Sequence, residues 1–116
     1  MKDFKNLKVW EKGINLVVGI YETSKSFPQE ELYGLTSQIR RSAITIPSNI
    51  AEGSGRNSDK DFNRFLDISL GSSFELETQI IIAHELKFLA DKDFTNLREQ
   101  VQEQQKMITG LQKKLK

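Results

Sequence analysis

The chain has 116 residues, the size of a single domain, and 37% of them are hydrophobic while 28% are charged. This balance excludes an intrinsically disordered chain, and the lack of cysteine excludes disulfide bonds and thiolate metal sites. Seventeen basic against sixteen acidic residues give a net charge of +1, so the chain lacks the basic excess of a dedicated nucleic-acid binder.

The N-terminus is charged throughout and carries no apolar segment of the signal-peptide kind. No stretch approaches the roughly 20 apolar residues that a membrane-spanning helix needs. We therefore expect one cytoplasmic domain over residues 1–116 that has no association with a membrane.

The first helix is predicted over about residues 6–25 from apolar residues three and four positions apart. Pro28 removes a backbone donor and ends this helical pattern. The expected core stripe of the helix is Leu7, Trp10, Ile14, Val17 and Tyr21.

The second helix is predicted from Leu32 to about Ile50, with Pro47 inside it. Proline deletes one helical hydrogen bond and crowds the carbonyl of Ala43, so we expect a kink at this position. Gly53 is the expected left-handed cap at the end of the helix.

The third helix is predicted to open after Ser58, whose hydroxyl can cap it, and to end near Leu89. The fourth helix has the most regular spacing, running from Phe94 to Leu115 with Gln104 as its single polar core position. Four amphipathic helices with short connections predict an all-α, up-down-up-down four-helix bundle.

Three consecutive isoleucines, Ile80, Ile81 and Ile82, point around most of the circumference of the third helix, at about 100° per residue. One core cannot accept all of these side chains. The pattern favours self-association through a second buried face, while ordinary exposed apolar residues are the simpler alternative.

Catalytic and metal-binding motifs are not supported. His84 is the only histidine, and residue 81 is isoleucine, so the Glu-x-x-His motif of di-iron bundles is missing. The glycines at Gly53 and Gly55 follow a predicted helix rather than the strand that precedes phosphate-binding loops. We expect no enzymatic activity, no cofactor and no metal.

The charged residues near the predicted helix crossing are the candidate contact residues. Mid-helix Gly71 suggests close approach by another helix, and Glu75 and Glu77 beside it would pair with Arg40 and Arg41. Such ion pairs within or between subunits are one interpretation, and contact with a polyanion is the other. The further candidates are Asn49 and Glu52, which share a helix face after Pro47, together with Arg56 and Arg64.

Two stretches, "GLTSQIRRSAITIPSNIAEGSGR" and "FNRFLDISLGSSFELETQIIIA", resemble the family of proteins encoded in intervening sequences of bacterial 23S ribosomal RNA genes. The resemblance covers nearly the whole chain. It implies a helical bundle that assembles into a ring-like homopentamer and implies no enzymatic activity. The chain is also similar to the accessory variability determinant of diversity-generating retroelements, which binds nucleic acid and partners a reverse transcriptase.

The resemblance and the arginines near the predicted kink together lead to the hypothesis of an oligomeric scaffold that binds structured RNA or DNA through these arginines, with a reverse transcriptase or another protein as a further partner. Unlike the basic retroelement relative, this chain carries a net charge of only +1. If Arg40, Arg41, Arg56 and Arg64 share one surface, five copies would still concentrate about twenty guanidiniums. The alternative is a protein–protein adaptor whose arginines form ion pairs between subunits.

Overall fold

The computed structural model describes residues 3–115, which form four α-helices and contain no β-strand. The helices are α1 (Lys8–Ser24), α2 (Leu35–Ser54), α3 (Asp59–Glu85) and α4 (Asp91–Lys114). Short 3-10 turns at Phe4–Asn6 and Gln29–Glu31 precede α1 and α2. All four predicted helices are therefore confirmed. Within residues 3–115 no helix is long and apolar enough to cross a membrane.

The helices pack as a bundle in which each one contacts two neighbours. The packed pairs are α1–α2, α2–α3, α3–α4 and α1–α4, so α1 lies diagonally across from α3. The described part of the chain measures 43 × 24 × 20 Å. Short connections between consecutive helices give this arrangement its alternating directions.

The core stripe of α1 differs from the predicted one. Ile14 and Tyr21 are exposed, and the buried residues lie on a neighbouring stripe rotated by about 100°. Val17 is only half-buried. The prediction failed because α1 carries two parallel apolar stripes, and spacing alone does not tell which one meets the other helices. The buried stripe is Val9, Gly13, Leu16 and Ile20.

The stripe of α4 lies where the spacing predicted it. In α4, Leu97, Val101 and Ile108 are buried. Gln104 is also buried, and its amide nitrogen donates to the backbone carbonyl of Val9 at 3.1 Å. This hydrogen bond links α4 to the first turns of α1, so the polar core position fixes how the two helices align.

Helix α2 runs through Pro47 as one continuous helix, with Pro47 buried. Side chains bond the backbone carbonyls around the proline. Asn49 donates to the carbonyl of Thr45 at 2.9 Å, and Ser69 of α3 donates to the carbonyl of Ile46 at 2.8 Å. The carbonyls beside the proline therefore gain additional donors, one of them from a neighbouring helix.

The prediction for Gly53 is wrong, and the prediction for Gly71 is not met within residues 3–115. Helix α2 continues through Gly53 to Ser54, and its C-cap is Gly55, whose φ of −86° is right-handed. Gly53 thus lies inside the helix, where a side chain would collide with α3, so this glycine serves packing rather than capping. Gly71 faces open space, since a Cβ added there would meet no heavy atom within 4 Å, so no other helix of residues 3–115 approaches it closely.

The ends of α3 carry two capping motifs. Ser58 accepts a hydrogen bond from the backbone nitrogen of Asp61 at 3.1 Å, which confirms the predicted N-cap. At the other end Lys87 adopts a left-handed φ of 65°, and the nitrogen of Phe88 donates to the carbonyl of Ala83 at 2.9 Å. This is a Schellman motif, and it ends α3 four residues before the predicted position near Leu89.

Candidate nucleic-acid interface

Arg40 and Arg41 lie on the outer side of α2, next to α1. The Nε of Arg40 donates to the hydroxyl of Ser24 at 2.8 Å, and its guanidinium lies 4.7 Å from the ring centroid of Tyr21. Arg40 is half-buried by these contacts, whereas Arg41 is exposed. Helix α1 thus holds one guanidinium in place beside a second that is free to meet a ligand.

Both arginines line a shallow groove with a volume of about 480 Å³, which we name the arginine groove. Its lining includes no carboxylate. Among residues 3–115, neither Arg40 nor Arg41 forms an ion pair, so both positive charges remain uncompensated at short range. The groove is lined by Tyr21, Leu32, Tyr33, Ser37, Arg40, Arg41, Ile44 and Thr45.

Arg56 and Arg64 form a separate group. Each lies over the ring of Phe65, at 4.7 and 4.8 Å from its centroid. Each also has a carboxylate partner, Glu52 at 3.3 Å for Arg56 and Asp61 at 3.5 Å for Arg64. Because α2 rises about 1.5 Å per residue, this group lies on the order of 20 Å along the bundle from Arg40. The four arginines therefore do not form one cluster on a single chain.

Glu77 does not pair with Arg40 or Arg41, in contrast to the prediction for pairing within the chain. Its carboxylate faces α4 and accepts hydrogen bonds from Gln105 at 2.9 Å, Gln102 at 3.1 Å and Arg98 at 3.2 Å. The hydrogen bond from Gln105 lowers the pKa of Glu77 more than any other contact, Arg98 and Gln102 lower it further, and burial opposes them. The prediction failed because α3 presents Glu77 to α4 rather than to α2.

The remaining candidates have different surroundings. Glu52 pairs with Arg56 instead of Arg41, and Asn49 is occupied by the carbonyl of Thr45. Glu75 is exposed and, within the described residues, takes part in no ion pair. Glu75 is therefore an acidic side chain available to a neighbouring molecule.

The large exposed apolar side chains of residues 3–115 fall into two groups on different sides of the bundle. One group lies along α1, α2 and the turn between them, and we name it the α1–α2 face: Ile14, Val18, Tyr21, Leu32, Tyr33 and Ile44. The other lies on α3, within an arc of about 140° opposite the core, and we name it the α3 face: Ile68, Phe74, Ile81, Ile82 and Leu86.

His84 joins the end of α3 to the start of α4. Its Nε2 lies 2.7 Å from the carboxylate of Asp91, and its ring stacks on Phe94 at 3.9 Å between centroids. Within residues 3–115 no group of three or more metal-ligating side chains surrounds it. Its contacts are those of a structural residue at a helix–helix turn.

The sequence did not single out Tyr33, although this residue is 93% exposed and lines the arginine groove. It placed Tyr21 in the core, whereas Tyr21 lies under the guanidinium of Arg40. The available signal was the position of Tyr33 in a polar turn just before Gly34, where an aromatic side chain is expected to be exposed. Arg98, Gln102 and Gln105 were also missed, because their role depends on the rotation of α4 relative to Glu77.

These features define a class: an all-α four-helix bundle with an uncompensated arginine groove and two exposed apolar faces. The family model for 23S rRNA-intervening sequence proteins matches residues 5–110, and the chain belongs to this family. The bundle is similar to the crystal structure of a protein of unknown function from the S23 ribosomal protein family of Bacteroides thetaiotaomicron. That match has a TM-score of 0.82 and 22% identity, and it covers 90% of this chain and 98% of the other. No curated protein matches the chain significantly.

Proposed function

We propose that this chain is a non-enzymatic, cytoplasmic scaffold protein that assembles into a ring and binds structured RNA through Arg40 and Arg41. One observation carries the proposal. Of the five arginines in the chain, Arg56, Arg64 and Arg98 each have a carboxylate partner, whereas Arg40 and Arg41 have none within residues 3–115.

Guanidiniums without carboxylate partners suit phosphate, because their planar donor fork matches two phosphate oxygens. Binding to phosphate displaces counterions and does not require a large net charge if the contacts are repeated. The family description connects these proteins with 23S rRNA, so a structured fragment of that RNA is the first ligand to test.

Assembly would supply the repetition. The α1–α2 face and the α3 face differ in their residues, so contact between them joins one copy to the next head to tail. Head-to-tail contacts generate a ring when the rotation closes, and the family resemblance implies five copies. Four residues of the α1–α2 face also line the arginine groove: Tyr21, Leu32, Tyr33 and Ile44. In this proposal only the part of the face around Ile14 and Val18 contacts the next copy, and the groove stays open at the rim of the interface.

The test is a binding titration of the purified protein against a structured RNA at several salt concentrations. We expect the logarithm of affinity to fall linearly with the logarithm of salt concentration, by about 0.7 to 0.9 per phosphate contacted. Absence of binding at low salt, or an affinity that does not change with salt, would contradict the proposal.

A second candidate is a protein–protein adaptor in which Arg41 pairs with Glu75 of the neighbouring copy. The observation in its favour is the position of Glu75, two helical turns from both Ile68 and Ile82 on the α3 face. Head-to-tail contact between the two faces would bring this carboxylate toward the groove.

A charge swap separates the two candidates. If Arg41 and Glu75 pair between copies, Arg41→Glu and Glu75→Arg each weaken assembly and the double variant restores it. If Arg41 contacts RNA, Arg41→Glu abolishes RNA binding, the ring keeps its mass, and the double variant does not regain affinity.

A further inference from the structure

We infer that the arginine groove binds unpaired nucleotides, with a base stacked on Tyr33, rather than the phosphates of a continuous duplex. This inference rests on the proposed RNA binding and specifies the part of the RNA that the groove contacts. It begins from Tyr33, which lies in the turn before α2 and is 93% exposed.

An aromatic side chain with this exposure contributes little to the stability of its own chain. The ring belongs to the same groove as the two uncompensated guanidiniums, so an aromatic face and positive charge lie together. An unpaired nucleotide carries a group for each of them: a base whose π-face can stack on the aromatic ring, and a phosphate that can bind a guanidinium.

Arg40 adds a second planar surface. Its guanidinium lies 4.7 Å above Tyr21 and is fixed there by the hydroxyl of Ser24 at 2.8 Å. A guanidinium held against an aromatic ring on one side can take a base on its other side, and bases stack on arginine planes in single-stranded RNA recognition. A duplex has its bases stacked inside the helix and cannot offer one to Tyr33.

The groove also fits this ligand in size and charge. A volume of about 480 Å³ is within the range of pockets for small ligands, and the lining holds two arginines but no carboxylate. Exposed Arg41 is then left to contact the phosphate of the stacked nucleotide or of its neighbour.

The test compares a fluorescent oligouridylate of about 12 nucleotides, in the size range of single-strand sites, with a duplex RNA of equal charge. We expect the wild-type chain to bind the oligouridylate at least about tenfold more tightly than the duplex. Tyr33→Leu should weaken oligouridylate binding by about tenfold, while Tyr33→Phe, which keeps the ring, binds as the wild type does. The mass of the assembly is measured for each variant.

The outcomes distinguish this inference from the proposed function. Equal affinity for both RNAs, or unchanged binding by Tyr33→Leu, overturns the stacking inference but leaves RNA binding intact. A Tyr33→Leu variant that loses its assembly assigns Tyr33 to a subunit contact and also overturns the inference. Failure of the wild type to bind either RNA overturns the proposed function together with the inference.

Discussion

Gly53 leaves no room for a side chain where α2 crosses α3. A Cβ at this position would lie 2.6 Å from the Cβ of Phe65 and 2.9 Å from Cδ1 of Phe62. Real Cβ atoms essentially never approach that closely, so one of the helices would have to move. The glycine therefore sets the distance between α2 and α3, on which the position of Arg56 over Phe65 also depends.

We expect Gly53→Ala to lower the free energy of unfolding by about 1–3 kcal/mol, because the added methyl group overpacks the crossing. The matched control is Gly110→Ala in α4, whose added Cβ meets no heavy atom within 4 Å. That variant should gain up to about 1 kcal/mol from helix propensity. Urea unfolding at a fixed protein concentration measures both, and a Gly53→Ala chain as stable as the wild type would contradict the packing account.

At the scale of helices, the contact between α3 and α4 contains a charged centre at Glu77. Three side chains of α4 donate to its carboxylate, and only 18% of its side chain is exposed. These donors favour the ionised form, which is why the pKa of Glu77 is lowered in the folded chain. The arrangement ties the middle of α3 to one rotation of α4.

The stability supplied by this contact depends on pH. Because the pKa of Glu77 is lowered on folding, its contribution is fully present above the ordinary value of 4.5 and is lost as pH falls through the folded-state pKa. We expect Glu77→Gln to unfold more easily at pH 7 and to show a shallower loss of stability below pH 4.5 than the wild type. Unfolding midpoints between neutral and acidic pH measure this, with exposed Glu99→Gln as the control. Identical pH profiles for Glu77→Gln and the wild type would contradict it.

The sequence was sufficient to predict the number of helices, their approximate bounds and the Ser58 cap. The spacing of apolar residues and the capping residues are local signals that can be read without knowing the tertiary structure. The core stripe of α1 could not, because the stripes of Ile14 and Leu16 both have helical spacing. Which of these two stripes is buried depends on the faces that α2 and α4 turn toward α1. The partners of Glu77 could not be predicted for the same reason, since the rotation of α4 decides them.

The candidate site was predicted in part. The arginines at positions 40 and 41 were identified by residue type, but their separation from Arg56 and Arg64 depends on the length of α2. Tyr21 and Tyr33 belong to the candidate site because the turn before α2 packs against α1. The spacing of apolar residues in the sequence gives no information about this packing.

At the scale of the whole molecule, the proposed head-to-tail assembly uses two contacts, one at the α1–α2 face and one at the α3 face. Ile14→Lys should block the α1–α2 face, and Ile81→Lys should block the α3 face, since each places a charge in an apolar contact. We expect the wild type to have a mass near five times that of one chain in light-scattering measurements, and each variant alone to be a monomer.

Mixing the two variants tests the head-to-tail arrangement directly. Each retains the face that the other has lost, so the mixture should form dimers and nothing larger. Glu99→Lys, on the exposed side of α4, is the control and should keep the wild-type mass. A mixture that stays monomeric, or single variants that keep the full mass, would contradict the two-face assembly.

The most direct test of RNA binding at the arginine groove is the RNA affinity of Arg41→Gln compared with Arg64→Gln at low salt. Both variants remove one guanidinium, but Arg41 is uncompensated while Arg64 pairs with Asp61 and lies over Phe65. We expect Arg41→Gln to weaken binding by about tenfold and to make its salt dependence shallower, with Arg64→Gln close to the wild type. Equal affinities for the two variants, with assembly intact in both, would show that the arginine groove is not the RNA site.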